Sequence, residues 1–285
     1  MTRTGSLPKA DGEGEAGRKP ELAIRIASAI VLAALALGAT LYRPWTFLLL
    51  VMVGSLIVAW EWGRLTRGRF DGTAMLSGVV VSVIAVFIAL GRFDYALFMF
   101  AAAGVVIGLS VVPRATAPWA LAGLAYAALP AAALIWLRGD AALGAIAILY
   151  LFAVAWTTDT ASYAAGRLIG GAKLAPRISP NKTWSGFIIG ALTPAVVGYA
   201  FALVLKNTSA LKLALVSVVL ALACQMGDLV ESAVKRRFGA KDVSQMIPGH
   251  GGLLDRIDGL LFAAVLAALI ALRDPGSPGR GLLIW

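Results

Sequence analysis

Apolar residues fall in nine long runs separated by polar stretches, at about 22–42, 44–60, 73–91, 95–112, 119–137, 141–156, 186–206, 211–230 and 258–272. Several approach the roughly 20 residues that a helix needs to cross a bilayer. The pattern predicts an all-α, polytopic integral membrane protein with about nine transmembrane helices. The second, sixth and ninth runs are short for that task, so eight or ten spans fit the same pattern. Two polar segments stand out, 157–185 and 231–257. They divide the chain into an N-terminal group of transmembrane helices, 21–156, and a region, 157–285, in which spans alternate with the two loops. No internal repeat of the kind that builds inverted-repeat transporters is apparent. Residues 1–20, "MTRTGSLPKADGEGEAGRKP", are polar, small and Gly-rich, which predicts a disordered tail. The run that follows has "ALA" near Leu35 as a passable signal-peptide cleavage site. The long tail and the continuation of the run to Tyr42 favour an uncleaved first span.

Composition agrees with this picture: 60% of residues are hydrophobic, 14% are charged and the mean hydropathy is +0.85. The formal charge of +10 would raise nucleic acid as a partner for a soluble protein. Here the basic residues lie between apolar runs, where they set topology and attract anionic lipid, so membrane lipid is expected as a partner and nucleic acid is not. With a cytoplasmic N-terminus, the inner segments hold 18 of the 25 Lys and Arg residues. That bias predicts N-in, C-out, with both polar loops facing the cytoplasm. The single cysteine, Cys224, sits inside an apolar run, which excludes an intrachain disulfide and a thiolate zinc cluster.

The chemistry gathers in the two loops. If the eighth span continues as a helix beyond its apolar part, Asp228, Ser232, Lys235 and Arg236 fall at i, i+4, i+7 and i+8, on one face. Beyond them "PGHGG" sets Pro248, Gly249, Gly251 and Gly252 around the only histidine, His250, and such a turn lets backbone N–H groups approach an anion. Asp255 and Asp258 of "DRID" then share a helix face at the positive end of the last span. Aspartates beside lipid need partners. Two readings meet that need. In one, Lys and Arg neutralise them in a salt-bridged loop closure. In the other, Asp228, Asp255 and Asp258 hold a divalent metal, where hard oxygens with positions left open for phosphates fit Mg²⁺. Lys235, Arg236, Lys241 and Arg256 then serve as phosphate clamps. The first loop adds Asp159, a glycine-rich turn with Arg167 and Lys173, and "SPNKTWSG". Its Ser179, Asn181, Lys182 and Thr183 are small donors and a cation suited to a polyphosphate or nucleotide, with Trp184 as an interfacial anchor.

The run Ser232, Lys235, Arg236, Lys241, Asp242, Pro248, His250, Gly251, Gly252, Asp255, Arg256, Asp258 resembles the signature of the phosphatidate cytidylyltransferases, or CDP-diacylglycerol synthases. "GDLVES" and "SPNKTWSG" are similar to the same family. Ala161 and Ser162 depart from the expected Gly and Ala after the acid, and Ser185 stands where Glu is expected. The resemblance covers roughly residues 155–272. It implies that CTP and phosphatidate give CDP-diacylglycerol and pyrophosphate, with Mg²⁺ required, and leaves open a monovalent cation beside it. It further implies a homodimer and metal ligation by Asp228 and Asp255, with Asp258 and Asp242 as additional candidates. His250 either donates to a phosphate or fixes its loop. The family's habit also points to a bacterial inner membrane. A CDP-alcohol phosphotransferase would carry "DxxDGxxAR", which is absent. A cytidylyltransferase for an isoprenoid ether lipid fits the same residues. A transporter would spread ionisable groups through several spans, whereas here they gather in two loops.

Overall fold

The structure, a computed structural model, describes residues 18–69, 71–111, 114–248 and 251–285. It is built of helices: α1 (Arg18–Tyr42), α2 (Pro44–Arg67), α3 (Gly72–Ala89), α4 (Phe93–Ser110), α5 (Ala117–Arg138), α6 (Gly144–Leu168), α7 (Trp184–Leu192), α8 (Ala195–Val204), α9 (Ala210–Arg237), α10 (Leu254–Ala271) and α11 (Pro278–Leu283). A small antiparallel ribbon, β1 (Lys173–Ala175) with β2 (Ser179–Thr183), lies between α6 and α7. Most of the tail predicted for residues 1–20 lies outside the described residues, and helix is present from Arg18.

Among the described residues, eight segments are long and apolar enough to cross a membrane. One of them, Trp184–Val204, is interrupted at Thr193–Pro194, where proline lacks the N–H a continuous helix needs. The ninth apolar run becomes α10, whose 18 residues include Asp255, Arg256 and Asp258 in the first five. Large apolar side chains face outward on most of these helices, among them Leu97, Val105, Leu203 and Leu211, as expected where the solvent is lipid.

Local chemistry sets several helix ends. Asp71 caps α3 by accepting the Ala74 N–H and pairs through both oxygens with Arg67 at 2.8 and 2.9 Å, which closes the α2–α3 turn. Thr183 caps α7 by accepting the Gly186 N–H. Two expected loop edges move. The sixth run, predicted to end near 156, continues as helix to Leu168, so the first polar loop begins twelve residues later than apolarity indicated. Residues 157–168 stay helical because their small faces pack on α7, where Gly186 meets the Ser162 backbone and Gly190 meets the Ser162 side chain. The eighth run likewise extends to Arg237 and α10 starts at Leu254, which narrows the second loop to residues 238–253.

α9 and α10 approach each other closely through two glycines. A Cβ on Gly227 would lie 2.6 Å from the carbonyl oxygen of Asp258, and one on Gly259 would lie 3.0 Å from that of Cys224. Leu220, Ala221 and Cys224 of α9 and Ala263, Ala264 and Ala267 of α10 are buried here, small residues that let two backbones meet. At the opposite end of the molecule, residues 273–285 fold back and bury Leu282 and Leu283 completely. The carboxylate of Asp140 holds this return by accepting the Ser277 hydroxyl at 2.6 Å and the N–H groups of Gly279, Leu143 and Ala142.

Gly227→Ala is expected to force α9 and α10 apart, at a cost of about 1–3 kcal/mol, read as a lower thermal midpoint in detergent. Burial raises the Asp140 carboxyl, but its four hydrogen bonds outweigh that and leave it below the ordinary 3.8. The stabilisation is therefore present above about pH 4 and lost as pH falls through the lowered value. Asp140→Asn is expected to lower the thermal midpoint at neutral pH and to flatten its decline on acidification.

Candidate active site

The cytoplasm-expected ends of α6, α9 and α10 and the ribbon meet around a group of carboxylates. α9 presents Asp228, Glu231, Ser232 and Lys235 along one stripe, as the i, i+4, i+7 spacing predicted. Lys235 is the central cation. Its Nζ lies 2.7 Å from Glu231 Oε2 on its own helix and 2.7 Å from Asp255 Oδ1 on α10. The Glu231 and Asp255 side chains are buried, at 1% and 7% exposure, and Lys235 is little more open at 13%, so one ammonium holds together two carboxylates that would otherwise repel. Asp255 Oδ2 turns the other way and accepts the N–H groups of Gly252 at 3.0 Å and Val243 at 3.3 Å.

Asp228 is more open, at 38% exposure. It pairs with Lys182 Nζ at 2.5 Å and accepts the Ser232 hydroxyl at 3.4 Å. Since Lys182 sits on β2, this pair docks the ribbon onto α9. Arg236 makes a second tie, donating from Nε to the Ile178 carbonyl and from Nη1 to that of Ala240. Asp159 on α6 and Asp258 on α10 lie within electrostatic reach of Asp228 and of each other, and Lys182 acts on both. The Tyr126 hydroxyl on α5 faces the same acids, with its ring stacked on Trp62 at 4.9 Å. Tyr126 Oη and Glu231 Oε1 are buried without a hydrogen-bond partner.

The structure thus brings together Lys182, Asp228, Ser232, Lys235, Asp255 and Asp258. It gives several predicted residues other tasks. Thr183, expected at the nucleotide, is buried at 4% exposure and caps α7. Arg236, expected as a phosphate clamp, spends two donors bracing the loops. Gly251 and Gly252, expected to offer N–H groups to an anion, have them engaged: Gly251 donates to Ile247, and Gly252 to Asp255. Asp242 is exposed and opens onto a polar cavity of about 630 Å³ lined by Trp60, Arg64, Ser244, Gln245 and Met246. Ser179 is half-buried on β2, Asn181 and Lys241 are exposed, and Arg256, also exposed, lies within electrostatic reach of Asp159. His250 lies outside the described residues. Among the described residues, no three His, Cys, Asp or Glu side chains converge as a ready metal cage.

Sequence reasoning passed over Glu61. This residue of α2 is completely buried, and its Oε1 accepts the Ser244 hydroxyl at 2.6 Å and the Leu253 N–H at 2.9 Å. Its Oε2 accepts the Leu254 N–H at 2.7 Å. An acid directly at the end of the second apolar run, between two tryptophans in "LIVAWEWGRL", was the available signal, because a charge there is expensive unless something specific receives it.

With this geometry in view, the comparison with known proteins is decisive. A family described as the cytidylyltransferase family matches residues 23–272. The chain belongs to that family. The curated phosphatidate cytidylyltransferase of Brucella suis biovar 1 is 41% identical over 249 residues, which cover 87% of this chain and 92% of that protein. The one from Haemophilus influenzae is 31% identical over 84% of this chain and 94% of its own length. One from Staphylococcus haemolyticus is 45% identical over 127 residues, 44% of this chain. Membership of the cytidylyltransferase family extends the likeness from the loop signature to helices α1–α10.

In this cytidylyltransferase, Lys235→Met is expected to leave Glu231 and Asp255 as uncompensated neighbours and to cost about 3–5 kcal/mol. Combining it with Glu231→Gln removes one of the two charges. Thermal unfolding of the four proteins of that cycle is expected to show the double variant recovering part of the loss.

Proposed function

We propose that this protein transfers the cytidylyl group of CTP to phosphatidate, giving CDP-diacylglycerol and pyrophosphate in phospholipid biosynthesis. The observation that carries the reading is the alignment with relatives named phosphatidate cytidylyltransferase across nearly their whole length, on a chain whose two polar loops bring carboxylates and cations together at one end of a membrane bundle. A site of that kind suits one substrate confined to lipid and another that is a soluble polyanion.

The reaction needs little proton chemistry. An oxygen of the lipid phosphate, already anionic at neutral pH, attacks the α-phosphorus of CTP. A new phosphorus–oxygen bond forms, the bond to the β-phosphate bridge breaks, and pyrophosphate leaves with the electron pair. The barrier is mainly repulsion between anions and charge growing on the leaving group. Lys182, Lys241 and Arg256 would be the cations that steady phosphates, with Ser179 and Asn181 contributing from the strand that carries Lys182. Lys235 orders the carboxylates beneath, and Arg236 keeps the two loops in register.

Mg²⁺ is the proposed cofactor. The donor set fits a hard cation. Asp159, Asp228 and Asp258 act on one another, while Glu231 Oε1 and Tyr126 Oη are buried and unpartnered beside them. The lack of a complete protein cage among the described residues suits Mg²⁺, which uses one or two carboxylates and takes its other ligands from water and phosphate. Asp228 and Asp258 would hold it. Asp255, implied by the resemblance, instead has both oxygens engaged with Lys235 and backbone amides. When bound, the ion supplies charge neutralisation at the phosphates and the departing pyrophosphate. The same proposal sets the protein in a bacterial inner membrane as a homodimer, with nine spans, N-in and C-out, and the site at the cytoplasmic face. The distribution of Lys and Arg supports that orientation.

The test is pyrophosphate release from CTP by the purified protein in detergent, with and without phosphatidate and Mg²⁺. Release is expected to require both, and Asp228→Asn is expected to lower it by on the order of 100-fold. Release independent of lipid, or undiminished in Asp228→Asn, would overturn the reading.

A further inference from the structure

Glu61 lies far in sequence from the loop signature of residues 232–258, and its surroundings are unusual for a membrane-embedded acid. Among the described residues no Lys or Arg lies within ion-pair distance of it. Its three donors are the Ser244 hydroxyl and the N–H groups of Leu253 and Leu254, all from the second polar loop and the start of α10. That helix begins without a cap of its own: its N-cap residue is Leu253, which has no side-chain acceptor. The first N–H groups of a helix have no intrahelical partner, and they carry the positive end of its dipole. Glu61 supplies the missing acceptor from another helix, as an anion matched to a partial positive charge.

The fit is tight on the loop side too. A Cβ on Gly252 would lie 2.6 Å from Glu61 Oε1. Glycine at 252 therefore admits a carboxylate of the protein itself. Its neighbour Gly251 is left-handed, at φ +85, and exchanges both backbone hydrogen bonds with Ile247 to close the turn. From this anchored start, α10 carries Asp255 to Lys235 one turn away, and Asp258 to Asp228.

We propose that Glu61 is a positioning residue: a buried anion on α2 that caps α10 in trans and so sets where Asp255, Arg256 and Asp258 stand relative to α9. The proposal rests on the functional reading above for its effect on turnover, but not for its structural content. An error of about 1 Å in placing reactive groups can cost up to roughly 100-fold in rate. The capping bonds act on where α10 starts and not on the nucleotide, so their loss is expected to fall on the rate of the bound complex more than on nucleotide binding.

Glu61→Gln is the direct test. The amide keeps the size and one acceptor oxygen but sets an NH₂ group against the Leu254 N–H. In the full-length protein, kcat per folded molecule is expected to fall roughly tenfold or more, with KM for CTP within about twofold. Hydrogen exchange at residues 253–258 is expected to accelerate while α2 keeps its protection. A kcat within about twofold of the parent, or unchanged exchange at 253–258, would overturn the proposal. If Glu61→Gln does not fold, Glu61→Asp keeps the charge and draws the carboxylate back from the Leu253 and Leu254 N–H groups. It is then expected to speed exchange at 253–258 and to reduce kcat by a smaller factor, and no change in either overturns the proposal. Exchange needs no turnover. A parent protein that shows no CTP-dependent reaction but loses protection at 253–258 in Glu61→Gln would therefore sink the functional reading and leave the capping role standing.

Discussion

The polar end of this molecule depends on how closely α9 and α10 approach. Gly227 meets the Asp258 backbone with no room for a side chain, and Gly259 meets that of Cys224 with little. In a bilayer, helices gain little from excluding lipid, so contact between backbones and the polar bonds it permits are what hold them. The glycine contacts bring Asp228, Glu231 and Lys235 on one helix to Asp255 and Asp258 on the other. Without them the carboxylates would face lipid or one another across a gap.

Close approach creates an electrostatic problem, which the fold resolves in three ways. Lys235 sits between Glu231 and Asp255, so one cation serves two acids on different helices. Lys182 reaches Asp228 from the ribbon, so the same pair that moderates charge also docks the first loop. Glu61 is met by hydroxyl and amide donors and by the dipole of α10. What remains is an excess of acid around Asp159, Asp228 and Asp258, with the unpartnered atoms of Tyr126 and Glu231 beside it. An excess of one sign at the edge of an apolar bundle is costly unless something of the other sign comes to it. It is the feature of this fold most suited to a cation and to the phosphates it would accompany.

The two loops do different work from what their composition indicated. Threonine and glycine in "SPNKTWSG" and "PGHGG", like Arg236 between them, look like groups that face a nucleotide, because small and cationic residues suit phosphate. Thr183 instead ends a helix, Arg236 ties Ile178 to Ala240, and Gly252 gives way to the Glu61 carboxylate. The salt-bridged closure weighed at the outset describes Lys235 with Asp255, while Asp228 and Asp258 keep the electrostatic surroundings that the metal reading asked for.

The sequence by itself determined the helical membrane architecture, the positions of most spans, and the two loops that carry charge. Those are consequences of apolar run length and of the cost of charge in lipid, which act residue by residue. It could not place the end of α6, because residues 157–168 are polar on the faces that pack on α7 and look like loop to any reading of hydropathy. Nor could it pair Glu61 with Leu253 and Leu254, nearly two hundred positions downstream. Partner choice was decided only by the tertiary structure. A hydrogen bond or ion pair depends on two groups meeting within about 3 Å, and that meeting is set by how the glycine-lined helices stack.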